Sequence, residues 1–152
     1  MKRHIAKGLA MLMFTLALAA ASAAVENGQA KARLVAQVPF EFMVADKALG
    51  AGEYRVAAID QSGDTIAITN SQGDNAIRLS MPTERKTRGK AAKLVFHRYG
   101  STYFLSQVWM AGDATGRELP RSKQERAIER ELKVASNGRT FETVEVIALM
   151  TR

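Results

Sequence analysis

Apolar and polar residues alternate along most of the chain after position 33, a pattern typical of β-strands. Side chains that repeat with a period of two face opposite sides of a strand, so one apolar row can point into a core. Phe40, Phe42 and Val44 follow this period, and Tyr54 and Val56 follow it again. The predicted strands are 34–38, 40–44, 53–59, 65–69, 75–81, 93–99, 102–109 and 140–150.

Polar segments separate the middle strands. Residues 60–64 begin with Asp and residues 70–74 begin with Asn, and both segments end in Gly-Asp. Asp and Asn side chains bond to nearby backbone, and Gly adopts positive φ without strain. Both segments are therefore predicted to be hairpin loops, whereas the basic segment 82–92 is predicted to be a solvated loop.

The strongest hairpin signal joins strands 93–99 and 102–109 across Gly100 and Ser101. Glycine at the first of two central positions suits a type II′ turn, whose twist matches that of the flanking strands. The resulting cross-strand pairs are Phe96 with Leu105, His97 with Phe104, and Arg98 with Tyr103. Aromatic residues concentrate in this hairpin, so it is predicted to be the centre of the core. Its candidate core or pocket residues are Phe96, His97, Tyr99, Tyr103 and Trp109.

One helix is predicted before the last strand. Ser122 and Glu125 have the spacing of a capping box, in which a serine hydroxyl and a glutamate carboxylate satisfy free backbone N–H groups. Ile128 and Leu132 then form a narrow apolar stripe among charged residues, so the helix is expected to lie on the surface. The predicted fold is mainly β: an antiparallel meander of seven to eight strands that forms a small barrel or sandwich, with one α-helix before the final strand.

The N-terminal segment has the pattern of a secretory signal peptide. Basic residues up to Lys7 precede fourteen residues in which Thr15 is the one polar side chain, and small residues follow. Fourteen helical residues rise about 21 Å, short of the roughly 30 Å hydrocarbon core, which disfavours a retained membrane anchor. Cleavage is predicted near Ala23, and the protein is expected to be periplasmic or secreted. The predicted organisation is a signal peptide at 1–23, a flexible leader at 24–32 and a single β-rich domain at 33–152.

Cleavage of the predicted signal peptide would lower the net charge of the protein. The chain carries 22 Lys and Arg against 15 Asp and Glu, and residues 1–23 remove three basic residues and no acid, so the formal charge falls from +7 to +4. Nucleic acid is not an expected partner. Contact with the membrane is expected only through the signal peptide, before it is cleaved. The basic loop, which we define as Arg85, Lys86, Arg88 and Lys90, is the candidate contact for an anionic cell-envelope component.

The sequence offers little chemistry for catalysis. It contains no cysteine, which excludes disulfides, zinc–thiolate sites and cysteine nucleophiles, and no metal or other cofactor is predicted. His97 is the one histidine after residue 23, and a hydrolase would have to use it or a pair of carboxylates. The candidate carboxylates are Glu41, Glu53, Glu118 and Glu145.

Three hypotheses follow for the function. The first is an exported, non-catalytic binding or envelope-associated module, with the basic loop and the end of the aromatic hairpin as contact surfaces. The second is a small hydrolase that uses His97 or a carboxylate pair. The third is a lipocalin-like carrier with an apolar cavity of about 300 Å³ or more, which a barrel filled by Phe96, Leu105 and Trp109 would exclude.

Several motifs within residues 35–132 resemble a family of small exported bacterial proteins to which no activity is assigned. The motifs are Val38-Pro39-Phe40, Ala51-Gly52-Glu53-Tyr54, Phe96-His97-Arg98-Tyr99-Gly100 and Gly116-Arg117-Glu118-Leu119-Pro120. The family commonly has proline where this chain has Gly50. The resemblance implies an exported β-rich domain and transfers no catalytic or binding residue.

Overall fold

The computed structural model describes residues 33–135 and 140–151. The predicted signal peptide (1–23) and leader (24–32) lie outside the described residues. The described residues form eleven strands and one helix. The elements are β1 (Arg33–Val38), β2 (Phe42–Val44), β3 (Lys47–Leu49), β4 (Gly52–Ala58), β5 (Thr65–Asn70), β6 (Asn75–Leu79), β7 (Met81–Glu84), β8 (Ala92–Tyr99), β9 (Thr102–Trp109), β10 (Thr115–Glu118), α1 (Lys123–Ala135) and β11 (Glu142–Thr151).

All eleven strands belong to one sheet that curves into a nearly closed barrel. The main path runs β3-β2-β9-β8-β11-β1-β4-β5-β6. At Ser80 the chain passes directly from β6 into β7, which pairs with β10, and β10 returns to β9. The wall is therefore closed on this side through β7 and β10.

The predicted β-rich fold with one helix is confirmed, but three details were wrong. Seven or eight strands is too low a number, because β3, β7 and β10 have only three or four residues and are too short to show alternation. The sheet is also not purely antiparallel, since β2 runs parallel to β9 at Met43 and Phe104. The segment 82–92 is not wholly a loop, because it includes the end of β7 and the start of β8.

The barrel interior is filled by the inward apolar row of each strand. Tyr54, Phe42 and Phe96 are its largest fully buried side chains. Their rings meet edge to face, with centroid distances of 5.0 Å between Phe42 and Tyr54 and 5.3 Å between Phe42 and Phe96. The Tyr54 hydroxyl donates to the Gly50 carbonyl at 2.8 Å, so its polar end is satisfied. The core therefore spans the barrel and is not confined to the β8–β9 hairpin.

The predicted hairpin register is confirmed from the turn as far as Phe96 and Leu105. Gly100 has a φ of 62° and Ser101 does not have positive φ, as a type II′ turn requires. Beyond that point a β-bulge between Val95 and Phe96 shifts the register, so Trp109 lies opposite Lys93. The extra residue turns Trp109 to the outside of the barrel, away from the interior that Phe96 and Leu105 fill.

Helix α1 packs on the outer surface of the β8–β9 hairpin. Its N-cap is Ser122, whose Oγ accepts the Glu125 N–H at 3.0 Å, as the spacing predicts. The apolar stripe is only half-buried at Ile128 and Leu132, and the buried residue of the helix is Glu125. The helix thus lies on the surface by one edge, and a carboxylate fixes it there.

Candidate functional site

A cavity of about 290 Å³ lies at one end of the barrel, and we call it the mouth cavity. β4 and β5 form one of its walls, and β9 and β10, with the segment between them, form the other. Inward side chains of β4, β5 and β9 give it an apolar floor. The apolar lining residues are Val56, Ala57, Ala58, Ile66, Val108 and Met110, and the polar ones are Asp113, Thr115 and Arg117.

Arg117 ties the two walls of the mouth cavity together. From β10 its guanidinium donates to Asp64 Oδ1 at 2.8 Å and to the carbonyl of Ser62 in the loop after β4. Gly63 lies under this contact with a φ of 75°, and a Cβ there would come within 2.7 Å of the guanidinium. The positive φ favours glycine at this position, and a Cβ there would displace the end of the Arg117 side chain. The predicted loop 60–64 is thus also one side of the cavity rim.

The basic loop borders the same rim. Arg85 donates two hydrogen bonds to the Asp113 carbonyl, at 2.7 and 3.1 Å, and its guanidinium lies 4.6 Å from the ring centroid of Trp109. The Gly112 N–H donates to the Gly89 carbonyl at 2.8 Å. Since Asp113 lines the cavity, these bonds hold residues 85–89 along its edge.

The four predicted cations of the basic loop have two different roles. Arg85 is engaged in the contacts that attach the loop. Lys86, Arg88 and Lys90 are exposed, and within the described residues they form no ion pair. These three cations therefore belong to a loop that is bonded to the segment beside the cavity, whose lining also carries Asp113.

His97 lies in a different place, between the hairpin and helix α1. Its Nδ1 is 3.2 Å from Glu125 Oε1, and its ring centroid is 4.1 Å from that of Phe141. The Tyr99 hydroxyl donates to the same Glu125 oxygen at 3.1 Å. Burial raises the pKa of Tyr99 well above its ordinary value of 10.0, and the charge of Glu125 adds to the rise. Glu125, His97 and Tyr99 form a satisfied polar contact that anchors the helix.

In the described part of the chain, His97 has no serine partner, and two of the candidate carboxylates are held in other contacts. No serine hydroxyl hydrogen-bonds His97, whose side chain is 13% exposed. Glu118 accepts a hydrogen bond from Gln107, whereas Glu145 pairs with Lys93 on another part of the sheet. Residues 33–135 and 140–151 contain no cluster of three His, Asp or Glu side chains that could hold a metal ion, and no helix there is long and apolar enough to cross a membrane.

None of the predicted aromatic pocket residues lines the mouth cavity. Phe96 is fully buried in the barrel, and Tyr103 stacks on Phe40 with centroids 3.9 Å apart. Trp109 lies outside, where a Cβ on Gly116 would come within 2.5 Å of its ring. The end of the hairpin instead forms an open depression of about 300 Å³ with Phe141, next to the helix.

Sequence reasoning missed the residues that make the cavity. Val56 was predicted only as part of an alternating strand, and Ile66 only as part of strand 65–69; both are buried core residues that also line the cavity. Arg117 carried no signal of its own, because its partners Asp64 and Ser62 are more than fifty residues away.

Comparisons with protein-family models, with curated proteins and with solved structures found no match to this chain. The resemblance to exported β-rich proteins therefore stays a prediction.

Proposed function

We propose that this protein is a non-catalytic binding module for a small amphipathic anion. The apolar part of the ligand enters the mouth cavity, and its acidic group meets the cations of the basic loop. The observation that carries the proposal is the attachment of residues 85–89 to the cavity edge through Arg85 and Asp113. This attachment supports a ligand contact that combines the apolar recess with the exposed cations of the basic loop.

The size of the mouth cavity limits the ligand. Binding cavities for small molecules usually measure about 300–1,000 Å³, so 290 Å³ suits a short acyl chain or a single ring. Each buried methylene contributes about 0.8 kcal/mol, whereas an exposed ion pair contributes about 0–1 kcal/mol and is screened by salt. Chain length should therefore set most of the affinity, and the basic loop should set its salt dependence.

The proposed setting is outside the cytoplasm. The N-terminal pattern supports export, and an anionic cell-envelope component with an acyl chain combines both required chemistries. We propose no catalytic role for His97, because Glu125 and Phe141 hold it in the helix contact, away from the mouth cavity.

Calorimetric titration with hexanoate, octanoate and octanol tests the proposal. Octanoate should bind roughly tenfold more tightly than hexanoate, because it buries two more methylenes. Octanol should bind with an affinity that changes little with salt. Ala58→Phe, which fills the cavity, should abolish binding of both eight-carbon ligands.

The combined variant Lys86→Gln, Arg88→Gln, Lys90→Gln is the matched test of the rim. It should weaken octanoate binding at low salt and leave octanol binding unchanged. Octanoate binding that survives Ala58→Phe, or that the rim variant does not alter at low salt, would contradict the proposal.

A further inference from the structure

A slot separates β3 from β6 on the side of the barrel away from β7 and β10. β2 and β10 share one side of β9, and only β10 continues the wall to β7 and β6. Between β3 and β6 no strand pairing occurs in the described residues; the bond that joins them is from Lys47 Nζ to the Asn75 carbonyl. The slot is an open groove of about 490 Å³. Since a lysine side chain spans it, the two backbones are farther apart than the roughly 4.8 Å of paired strands.

The β6 edge presents unpaired backbone groups to this slot. The Asn70 N–H donates to Asp74 and the Ser80 N–H donates to Asp64, which sets the alternation of bonds between β5 and β6. In an antiparallel pair every second residue bonds to the partner strand, so the N–H and C=O of Ile77 point the other way, into the slot.

The β3 edge presents the same kind of groups. A two-residue turn at Ala45 and Asp46 makes Val44 and Lys47 the bonded pair of the β2–β3 hairpin. The next pair, Met43 and Ala48, is then non-bonded, so the N–H and C=O of Ala48 face the slot. Among the described residues, backbone donors and acceptors at Ile77 and Ala48 are therefore free on two strand edges that face each other, whereas the Asn75 carbonyl accepts from Lys47.

The side chains along the slot differ between the two faces of the sheet. Ala76 and Ser80 are buried and point inward, so by alternation Arg78 also lies on the inner side. Its side chain is half-buried and forms no ion pair among the described residues. On the outer face Ile77 is 59% exposed and Leu79 is 69% exposed. A strand placed in the slot would lie between a cation and an apolar surface.

We propose that the slot binds one extended polypeptide segment of a partner protein as an added strand. The segment pairs its backbone with β6 and β3, turns an acidic side chain towards Arg78, and lays its alternate apolar side chains against Ile77 and Leu79. Backbone donors and acceptors along both edges favour a peptide, because only another strand satisfies them in register. The unpaired guanidinium selects an acidic residue on the inward-facing row.

Selection from a phage-displayed library of random nine-residue peptides on the full chain tests this inference. Enriched peptides should alternate apolar residues with Asp or Glu. As synthetic peptides they should lose at least about tenfold in affinity on Ile77→Pro, because proline removes an N–H that β5 does not use. Ile77→Thr keeps that N–H and should retain most of the binding.

A charge exchange at Arg78 provides a second test that does not depend on proline. Arg78→Glu should weaken binding of the acidic peptides and favour versions with Lys in place of the acid. Enriched peptides that bind Ile77→Pro as well as the unaltered chain, or an empty selection, would overturn the proposal. So would sedimentation that shows a dimer for the unaltered chain and a monomer for Ile77→Pro, because a second copy would then occupy the edge.

Discussion

Glu125 gives the sharpest test of how helix α1 is held on the barrel. Its carboxylate is buried and accepts a hydrogen bond from the Tyr99 hydroxyl at 3.1 Å, with His97 Nδ1 at 3.2 Å from the same oxygen. Glu125→Ala removes both contacts but leaves the Ser122 cap in place, since that cap uses the backbone N–H of residue 125. The variant therefore tests docking of the helix and not its initiation.

The expected loss of stability follows from the two contacts. A hydrogen bond to a charged group contributes about 1.5–3 kcal/mol, and a buried hydroxyl without a partner costs about 1–3 kcal/mol. Tyr99 is only 3% exposed, so water does not readily replace the carboxylate. We expect Glu125→Ala to lower the free energy of unfolding by about 3 kcal/mol, with partial recovery in Glu125→Gln, which keeps an acceptor.

Urea unfolding followed by fluorescence of the single tryptophan measures this loss. Glu131→Gln, an exposed change on the same helix, is the matched control and should stay within about 0.5 kcal/mol. The double variant with Tyr99→Phe should cost less than the sum of the two single variants, because they remove the same bond. A loss below about 1 kcal/mol for Glu125→Ala, or strictly additive single effects, would refute the docking role.

Three other predictions concern stability. Because burial raises the pKa of Tyr99, the folded chain disfavours its phenolate, so stability should be unaffected below the ordinary pKa of 10.0 and fall above it. Unfolding midpoints of Tyr99→Phe should show a smaller alkaline decline than the unaltered chain, because Tyr54, whose pKa burial also raises, keeps its own contribution. Gly116→Ala should cost about 1–3 kcal/mol in urea unfolding, since its Cβ would meet the Trp109 ring at 2.5 Å, whereas Gly50→Ala, with nothing within 4 Å, should cost little. Ala45 has a φ of 56°, so Ala45→Gly should raise the thermal midpoint, and an unchanged or lower midpoint would argue against backbone strain there.

Local rules predicted much of the barrel wall. The turn at Gly100 fixed the cross-strand partners of the hairpin, and the Asn70 side chain accepts backbone N–H bonds from Gln72 and Asp74 within its predicted loop. These features depend on residues a few positions apart, so their signals are present in short segments.

Features that depend on distant partners could not be predicted in the same way. The capping-box spacing predicted that the Glu125 carboxylate would serve the helix end, but it bonds Tyr99 and contacts His97, more than twenty-five residues earlier. One bulge between Val95 and Phe96 was enough to place Trp109 outside the barrel.

Of the two parts of the candidate site, the basic loop was predicted from the sequence and the mouth cavity was not. The basic loop stood out as a cluster of cations, although the contact of Arg85 with Asp113 and Trp109 was not expected. The mouth cavity is a space between strands that are far apart along the chain. Its apolar residues have the same pattern as filled core positions, so no local signal distinguishes them.

Amide chemical-shift mapping of ¹⁵N-labelled protein with octanoate tests whether an amphipathic anion binds at the mouth cavity beside the basic loop. The largest shifts should fall on the cavity residues of β4, β5 and β10 and on residues 85–90, while the amides around His97 should stay unchanged. Shifts that concentrate at the His97 end of the barrel, or a spectrum that octanoate leaves unaltered, would contradict binding at the mouth cavity.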